Sequence, residues 1–357
     1  MWQRIARKKP QRGSPPGISH PVPTNPPRLD TSGLHYAALA RYGLTPRRVR
    51  PLARAVVRVD VDGGRSYALR CRPRSGRAFG DIPLELAWTA ALRRETDLGP
   101  PAALPGMDGA LIQEVRDPGG DPHDCVLFEW LPGIELAHRL TPENMLRLGV
   151  LSARLHEHAA TFRPPSDLPV RTLHELIGRG EREVLFSHEH PAFLPPPRRS
   201  VFEQVAGRFQ RAVECLYADG TGRRVIHADL IAGNVRVHRG HLRPLDFYEA
   251  IWGYPVQDLA LTFYDLRFFV DCRPYGLPAL REAFTAGYGS RLPWPEGYPG
   301  QIDTLVAGRL LRRANWVLWR ETAPFADDPT RVPDPRRLEA FFARLEDEFR
   351  AFLEHAQ

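Results

Sequence analysis

In the stretch VIHADLIAGNVRVHRGHLRPLDFYEA, residues 225–250, His227, Asp229, Asn234 and Asp246 are set apart by apolar runs and one tight turn. A plain strand hairpin has no need of proton- or metal-competent side chains at both of its ends. The runs VRVH and LRPLDF, joined at Arg239-Gly240, predict a two-stranded ribbon that brings the loop 227–234 close to Asp246. Asp229, Asn234 and Asp246 then converge. Their oxygens are hard ligands of the kind that Mg²⁺ takes together with phosphate. Asp229 is also suited to act as a base, accepting the proton of a hydroxyl that attacks a phosphate held by the metal. The order of base, then amide ligand, then carboxylate ligand, spaced H-x-D-x-x-x-x-N and followed by D-F, is that of a kinase catalytic loop and metal motif.

Other elements must hold this ribbon. LHYAALARYGL has helical spacing, and RVRPLA, AVVRVDVDGG and RSYALRCRPR read as strands, with Val57, Val59 and Val61 alternating with Arg58, Asp60 and Asp62. DIPLELAWTAALRRET is an amphipathic helix with Pro83 in its first turn. GALIQEV and CVLFEWL add two strands around the turn-rich RDPGGDPHD. The expected order is three strands, a helix and two strands, a small antiparallel sheet with one helix. After residue 133 the pattern becomes mainly helical. One helix begins at the N-cap Thr141 with Pro142 behind it, and others are expected over 172–187, 199–218, 256–270, 278–289, 301–322 and 335–355. The fold class is therefore α+β, with a basic, proline-rich disordered tail over 1–33, a sheet-bearing part over 34–128 and a mainly helical part over 129–357.

Composition narrows the partners. Hydrophobic residues make up 43% of the 357, enough to bury a large core, yet no run of about 20 apolar residues spans a membrane. No apolar stretch follows the basic start, which argues against a secretory signal. The four cysteines, Cys71, Cys125, Cys215 and Cys272, are scattered without a CxxC pair, as in a reduced cytoplasmic protein. The net charge of +7 sits near the N-terminus: residues 1–33 carry six basic and one acidic residue, while residues 129–357 carry 29 and 30. A nucleic-acid binder needs its cations clustered on a folded face, so no nucleic-acid partner is expected. The only lysines are Lys8 and Lys9; every other basic residue is arginine or histidine.

HADLIAGN, PLDFYEA and YPVQDLA, with SYALRCRPR, LELAWTAALRRETDL, CVLFEWLPG and LSARLHEHA, resemble the aminoglycoside phosphotransferase and choline kinase-like family. The likeness is greatest to its phosphotransferase enzyme or homoserine kinase type II-like subgroup, and covers roughly residues 34–325. It implies a two-lobed, protein-kinase-like fold and an enzyme that uses ATP with Mg²⁺ to phosphorylate a hydroxyl of a small molecule (an amino alcohol, a sugar or an antibiotic) or of a protein Ser/Thr. It implies further that Asp229 is the catalytic base, Asn234 and Asp246 the metal ligands, and His227 the structural histidine of the loop. By the same likeness Asp258 braces that loop and His156 packs behind it. Arg70 stands where the family has a basic residue that contacts phosphate, with Glu85 as its helix partner, and Glu129, Trp130 and Leu131 stand at the hinge that meets adenine through the backbone. A lysine is impossible at position 70 in a folded part that has none; arginine can bind phosphate in a fork but is bulkier.

The sequence also departs from that pattern. No G-x-G-x-x-G covers the phosphates, and the corresponding loop falls near 51–57. Ile231 and Tyr248 replace polar or acidic residues, which is expected to alter the substrate side. These departures keep a second reading open, a nucleotide-binding pseudokinase with a regulatory role. A third, a two-metal phosphohydrolase, needs more grouped His and Asp ligands than the chain offers. His156 and His158 stand two apart and are expected as a core and a surface residue. The acceptor is expected between the helices of 172–218 and 278–325, with Trp316 and Trp319 in the core. Nothing in the sequence sets the acceptor's identity or the oligomeric state.

Overall fold

A computed structural model describes residues 32–53, 55–74, 82–166, 168, 170–172, 182–187, 189–218, 220–322 and 334–355. The tail over 1–31, and Arg54 in the turn of the expected phosphate loop, lie outside these residues. Helix α1 (Ser32–Arg41) leads into strands β1 (Pro46–Ala53), β2 (Val56–Val61) and β3 (Ser66–Pro73), helix α2 (Ile82–Glu95), and strands β4 (Ala103–Leu104), β5 (Ile112–Arg116) and β6 (Pro122–Glu129). These six strands form one antiparallel sheet, ordered β1-β2-β3-β6-β4 with β5 also paired to β6. The alternation of Val57, Val59 and Val61 buries all three against α1, with Leu69 and Leu127. The strands and helix expected from the sequence are present, and β4 is an addition too short for periodicity to reveal.

The rest of the chain is built on helices: α3 (Pro142–Thr161), α4 (Pro196–Ala218), α5 (Pro255–Phe268), α6 (Leu277–Gly289), α7 (Gln301–Thr322) and α8 (Pro335–His355). The side chain of Thr141 accepts a bond from the Asn144 amide at 3.2 Å and caps α3 as expected. Two small sheets interrupt the helices. β9 (Val235–His238) and β10 (His241–Pro244) form the expected hairpin, and Arg239 and Gly240 both take positive φ (49° and 80°), as a two-residue turn requires. β7 (Ile134–Glu135) adds to the edge of β9, and β8 (Arg224–Ile226) pairs with β11 (Ile251–Gly253). The β8–β11 pair was not anticipated. Three residues per strand leave no period to read, and this pair clamps the two ends of the stretch 227–250.

The helix expected over 172–187 is corrected in part. Residues 173–181 lie outside the described residues, and 182–187 are not helical. The Val184 and Leu185 amides there donate to the Asn315 side chain at 2.8 and 3.0 Å, partners that an α-helix would have supplied itself. No helix of the described residues is long and apolar enough to cross a membrane. All four cysteines are free thiols.

One core cluster runs through the helical part and includes Leu84, Trp88 and Leu92 of α2. The Trp88 ring meets Phe247 edge-on at 5.2 Å, so α2 rests directly on the residue after Asp246. α3 and α6 cross where Gly149 and Gly287 face the opposing backbone. A Cβ on either would sit about 2 Å from a carbonyl oxygen, of Phe284 or Leu146. That approach brings the Tyr288 hydroxyl to 3.0 Å from His156 Nδ1, and the site is braced from there.

Candidate active site

The hairpin register decides which groups meet. Val235 faces Pro244, and the Leu245 amide donates to the Asn234 carbonyl at 2.9 Å, so Asn234 and Asp246 flank the same open end of the ribbon. Asp246 takes a left-handed conformation (φ 59°, ψ 62°), unusual for a residue with a side chain, and its carboxylate is 38% exposed. The Asn234 side-chain nitrogen donates to the Asp229 carbonyl at 2.9 Å and to the Asp229 carboxylate at 2.7 Å. With the nitrogen so committed, the network turns the Asn234 carboxamide oxygen away from Asp229. An amide oxygen and a carboxylate at one end of a hairpin are a donor set that fits Mg²⁺, which keeps its remaining positions for water and phosphate.

The other wall is Arg70 on β3. Its guanidinium forks onto Glu85 of α2, with Nη1 3.0 Å from Oε1 and Nη2 against Oε2, and lies 3.5 Å from Asp246, too far for a good hydrogen bond. Burial works against both charges of the fork. On Arg70 the Glu85 carboxylate outweighs it and holds the guanidinium above its usual range. Tyr248 corrects an expectation. It is buried between the guanidinium carbons of Arg70 and Arg72, 4.8 and 4.1 Å from its ring centre, and packs against Ile82 and Leu86 of α2. It therefore lines the wall beneath Arg70. At the hinge, the Glu129 amide is committed to the Ala102 carbonyl at 2.9 Å and its carboxylate to Arg93, while Trp130 lies under Arg58 at 4.4 Å. Leu131 is buried.

The loop bearing Asp229 is held from behind. Asp258 is almost wholly buried. It accepts the Ala228 amide at 2.6 Å on one oxygen and the His227 amide at 3.0 Å on the other, and the second oxygen also meets His156 Nε2 at 3.1 Å. Its carboxyl lies below the usual range: burial alone would raise it, and the His156 hydrogen bond with the surrounding donors outweighs that. His227 accepts the Asp229 amide on Nδ1 at 3.2 Å and donates from Nε2 to the Leu245 carbonyl at 3.1 Å, which ties the loop to the far strand. That pattern requires the neutral ring, and burial pushes its pKa down accordingly. His156 is fully buried; His158 is largely buried too, taking the Trp88 indole N–H at 3.2 Å and meeting Glu95 at 3.1 Å, so the expected surface position of one of them is corrected.

Three residues of this machinery escaped sequence reasoning. Thr262 and Asp265 follow Asp258 at i+4 and i+7 on α5, a spacing that puts all three on one face. Thr262 donates to the Leu230 carbonyl at 2.9 Å and Asp265 accepts the Ala232 amide at 2.9 Å. The spacing was legible; its target was not. The third, Arg309 on α7, donates to the Ala228 carbonyl at 3.1 Å from 81 residues downstream, and nothing in its local sequence marks it.

Asp265 yields a pH-dependent prediction. Burial raises its carboxyl from 3.8 to about 6 against one amide donor. Below about pH 4 both folded and unfolded chains hold the proton and no penalty exists. As pH rises to about 6 the unfolded chain releases it first, and folding loses up to about 3 kcal/mol, a loss that persists above pH 6. Asp265→Asn keeps an acceptor for Ala232 without the charge, and is expected to raise stability at pH 7.5 but hardly below pH 4. Urea unfolding at the two pH values checks this; an equal change at both contradicts it.

A model of the phosphotransferase enzyme family (APH) matches residues 48–300, well over half of the chain. No curated protein matches the sequence. Among solved structures, an amicoumacin kinase in complex with AMP-PNP, Ca²⁺ and Ami is 19% identical, with 90% of this chain and 94% of that one covered at a TM-score of 0.67. A microcompartment-associated aminopropanol kinase is 21% identical over 90% and 97%, with a TM-score of 0.64. Spectinomycin phosphotransferase in complex with ADP and spectinomycin is 13% identical over 89% and 98%, with a TM-score of 0.59. These likenesses show a protein-kinase-like fold. With the family model spanning both the sheet and the loop 227–246, the chain belongs to the phosphotransferase enzyme family and is a phosphotransferase.

Proposed function

We propose that the chain is an ATP- and Mg²⁺-dependent kinase that transfers the γ-phosphate to a hydroxyl of a small molecule. The observation that carries this reading is the convergence of Asp229, Asn234 and Asp246 at the open end of one hairpin, with the Arg70–Glu85 fork facing Asp246. Mg²⁺ held by Asn234 and Asp246 supplies charge neutralisation on the phosphates. Asp229 orients the acceptor hydroxyl and accepts its proton as the new O–P bond forms and the bond from γ-phosphorus to the ADP oxygen breaks. Arg70, fixed by Glu85, contacts phosphate, and the Glu129–Leu131 backbone meets the adenine. With the Glu129 amide committed to Ala102, the adenine contact falls to the groups beyond it. His227, Asp258 and His156 position the loop and touch no reacting atom. The relatives' small-molecule substrates, an antibiotic or aminopropanol, support a small-molecule acceptor, and the free thiols suit a reducing, cytoplasmic setting. Among the described residues no three His, Cys, Asp or Glu side chains group as metal ligands, so a two-metal hydrolase finds no support.

Thermal shift with ATP, ADP and AMP, each with and without Mg²⁺, tests the reading. Ligand at 100 times its dissociation constant stabilises by about 2.7 kcal/mol. ATP is expected to raise the melting temperature only with Mg²⁺, and Asp246→Ala to abolish the Mg²⁺-dependent part. A shift that ignores Mg²⁺, or that survives in Asp246→Ala, contradicts the assignment.

A further inference from the structure

We propose that Arg309, with Arg312 beside it, receives an anionic group of the acceptor, so that the molecule phosphorylated here is a hydroxylated carboxylate or phosphate ester and not a polyamine. The proposal rests on the kinase reading above and names the substrate class of that site. A recess opens beside Ala228, lined by Ile226, Ile251, Gln257, Leu305, Arg309 and Arg312 among others. It holds about 460 Å³ of free space, part of it open to solvent.

Its walls are apolar apart from the glutamine and two arginines, so an anion there would be desolvated and would need a cation. Arg309 is placed for this. It makes one hydrogen bond, to the Ala228 carbonyl, and among the described residues no carboxylate stands within ion-pair distance of it. Part of its surface stays accessible although packing around it draws its pKa down to about 10, through burial first and Arg312 second. Asp229 and Asp258 act on the guanidinium only from beyond contact distance, so a ligand anion seated on it would add a pairing that the described residues do not supply. Asp229 lies within electrostatic reach of Arg309. An anion seated on the guanidinium, which suits carboxylate or phosphate geometry, would present a hydroxyl a few atoms away to the base. The balance of 29 basic and 30 acidic residues over 129–357 agrees, since a polycation would call for an acidic surplus.

ADP formation by the full chain with ATP and Mg²⁺ is compared across matched probes: 4-hydroxybutyrate, 1,4-butanediol and 4-amino-1-butanol, then glycerol 3-phosphate and glycerol. Stimulation by either anion above its neutral and cationic partners is expected, and which anion is better separates carboxylate from phosphate recognition. Arg309→Gln should raise KM for that anion about tenfold or more with a smaller change in kcat, and Arg309→Lys should recover part of it. A cationic or neutral probe that serves as well as the anion overturns the proposal and leaves the kinase reading standing. So does an Arg309→Gln variant that lowers kcat for every probe alike at unchanged KM, because the residue then only holds the Ala228 carbonyl. If Arg309→Gln does not fold, the probe preference of the unaltered chain and the Lys variant decide. Failure of the Mg²⁺–ATP thermal shift would instead sink the kinase reading. In that case, or if no probe stimulates ADP formation, calorimetry with the two anions on the chain alone decides: saturable binding weakened in Arg309→Lys supports the site, and none overturns it.

Discussion

Asp229→Asn is expected to slow phosphoryl transfer about a hundredfold to ten-thousandfold while the protein still folds and binds ATP with Mg²⁺. The substitution is nearly isosteric. The new amide oxygen still accepts the Asn234 side chain, which now donates at 2.7 Å, so the loop keeps its shape. The Asp229 amide keeps its bond to His227 Nδ1 as well. What is lost is the group proposed to take a proton from the acceptor, and the α5 carboxylates behind the loop, Asp258 and Asp265, do not replace it, because they are turned to backbone amides. Steady-state ADP formation beside the ATP thermal shift reads the two effects apart. A variant that binds ATP and turns over at the original rate would remove Asp229 from the chemistry. Measurable ATP turnover that disappears in the variant would rule out a pseudokinase.

Asp258→Asn is expected to cost about 3 kcal/mol or more of stability and to lower activity with it. Both carboxylate oxygens are in use, one for Ala228 and one for His227 and His156, all at buried positions. An asparagine offers one acceptor and turns an N–H toward a backbone N–H, leaving a buried donor orphaned. The same bonds hold Ala228 at φ 57°, a left-handed conformation that costs a non-glycine residue on the order of 1–2 kcal/mol. Released from Asp258, the Ala228 peptide can relax and carry Asp229 with it. The effect has a defined pH dependence. The Asp258 carboxyl lies below its ordinary 3.8, so its stabilisation is fully present above that pH and is lost as pH falls through the folded value. The gap between the two proteins in urea unfolding should therefore narrow in strong acid and stay constant from pH 5 upward. A variant as stable as the parent at pH 7 would show that the loop is held by other contacts.

The two predictions differ in what the sequence could say about them. The convergence of Asp229, Asn234 and Asp246 was legible because they stand at short spacing on either side of the turn at Arg239-Gly240. The sheet was legible for a similar local reason, since period-two burial in β2 and 3.6-residue periodicity in α2 act over one element. The pairing of Arg70 with Glu85 came from the family likeness, and the geometry agrees, with a fork that only a particular sheet-to-helix distance allows.

Tertiary structure alone decided the rest. Tyr288 reaches His156 because Gly149 and Gly287 let α3 and α6 cross at backbone contact, a property of two helices about 140 residues apart that neither reveals alone. Tyr248 turned to the Arg70 wall because α2 packs on the residues after Asp246. Arg309 stands at the loop because α7 folds back onto α4 and α5. The sequence by itself determined which atoms were fit for the chemistry and the short-range elements that carry them. Long-range packing decided which side chains brace those atoms and which charge waits beside them, because burial and approach depend on the partner surface and not on the residue's own neighbours.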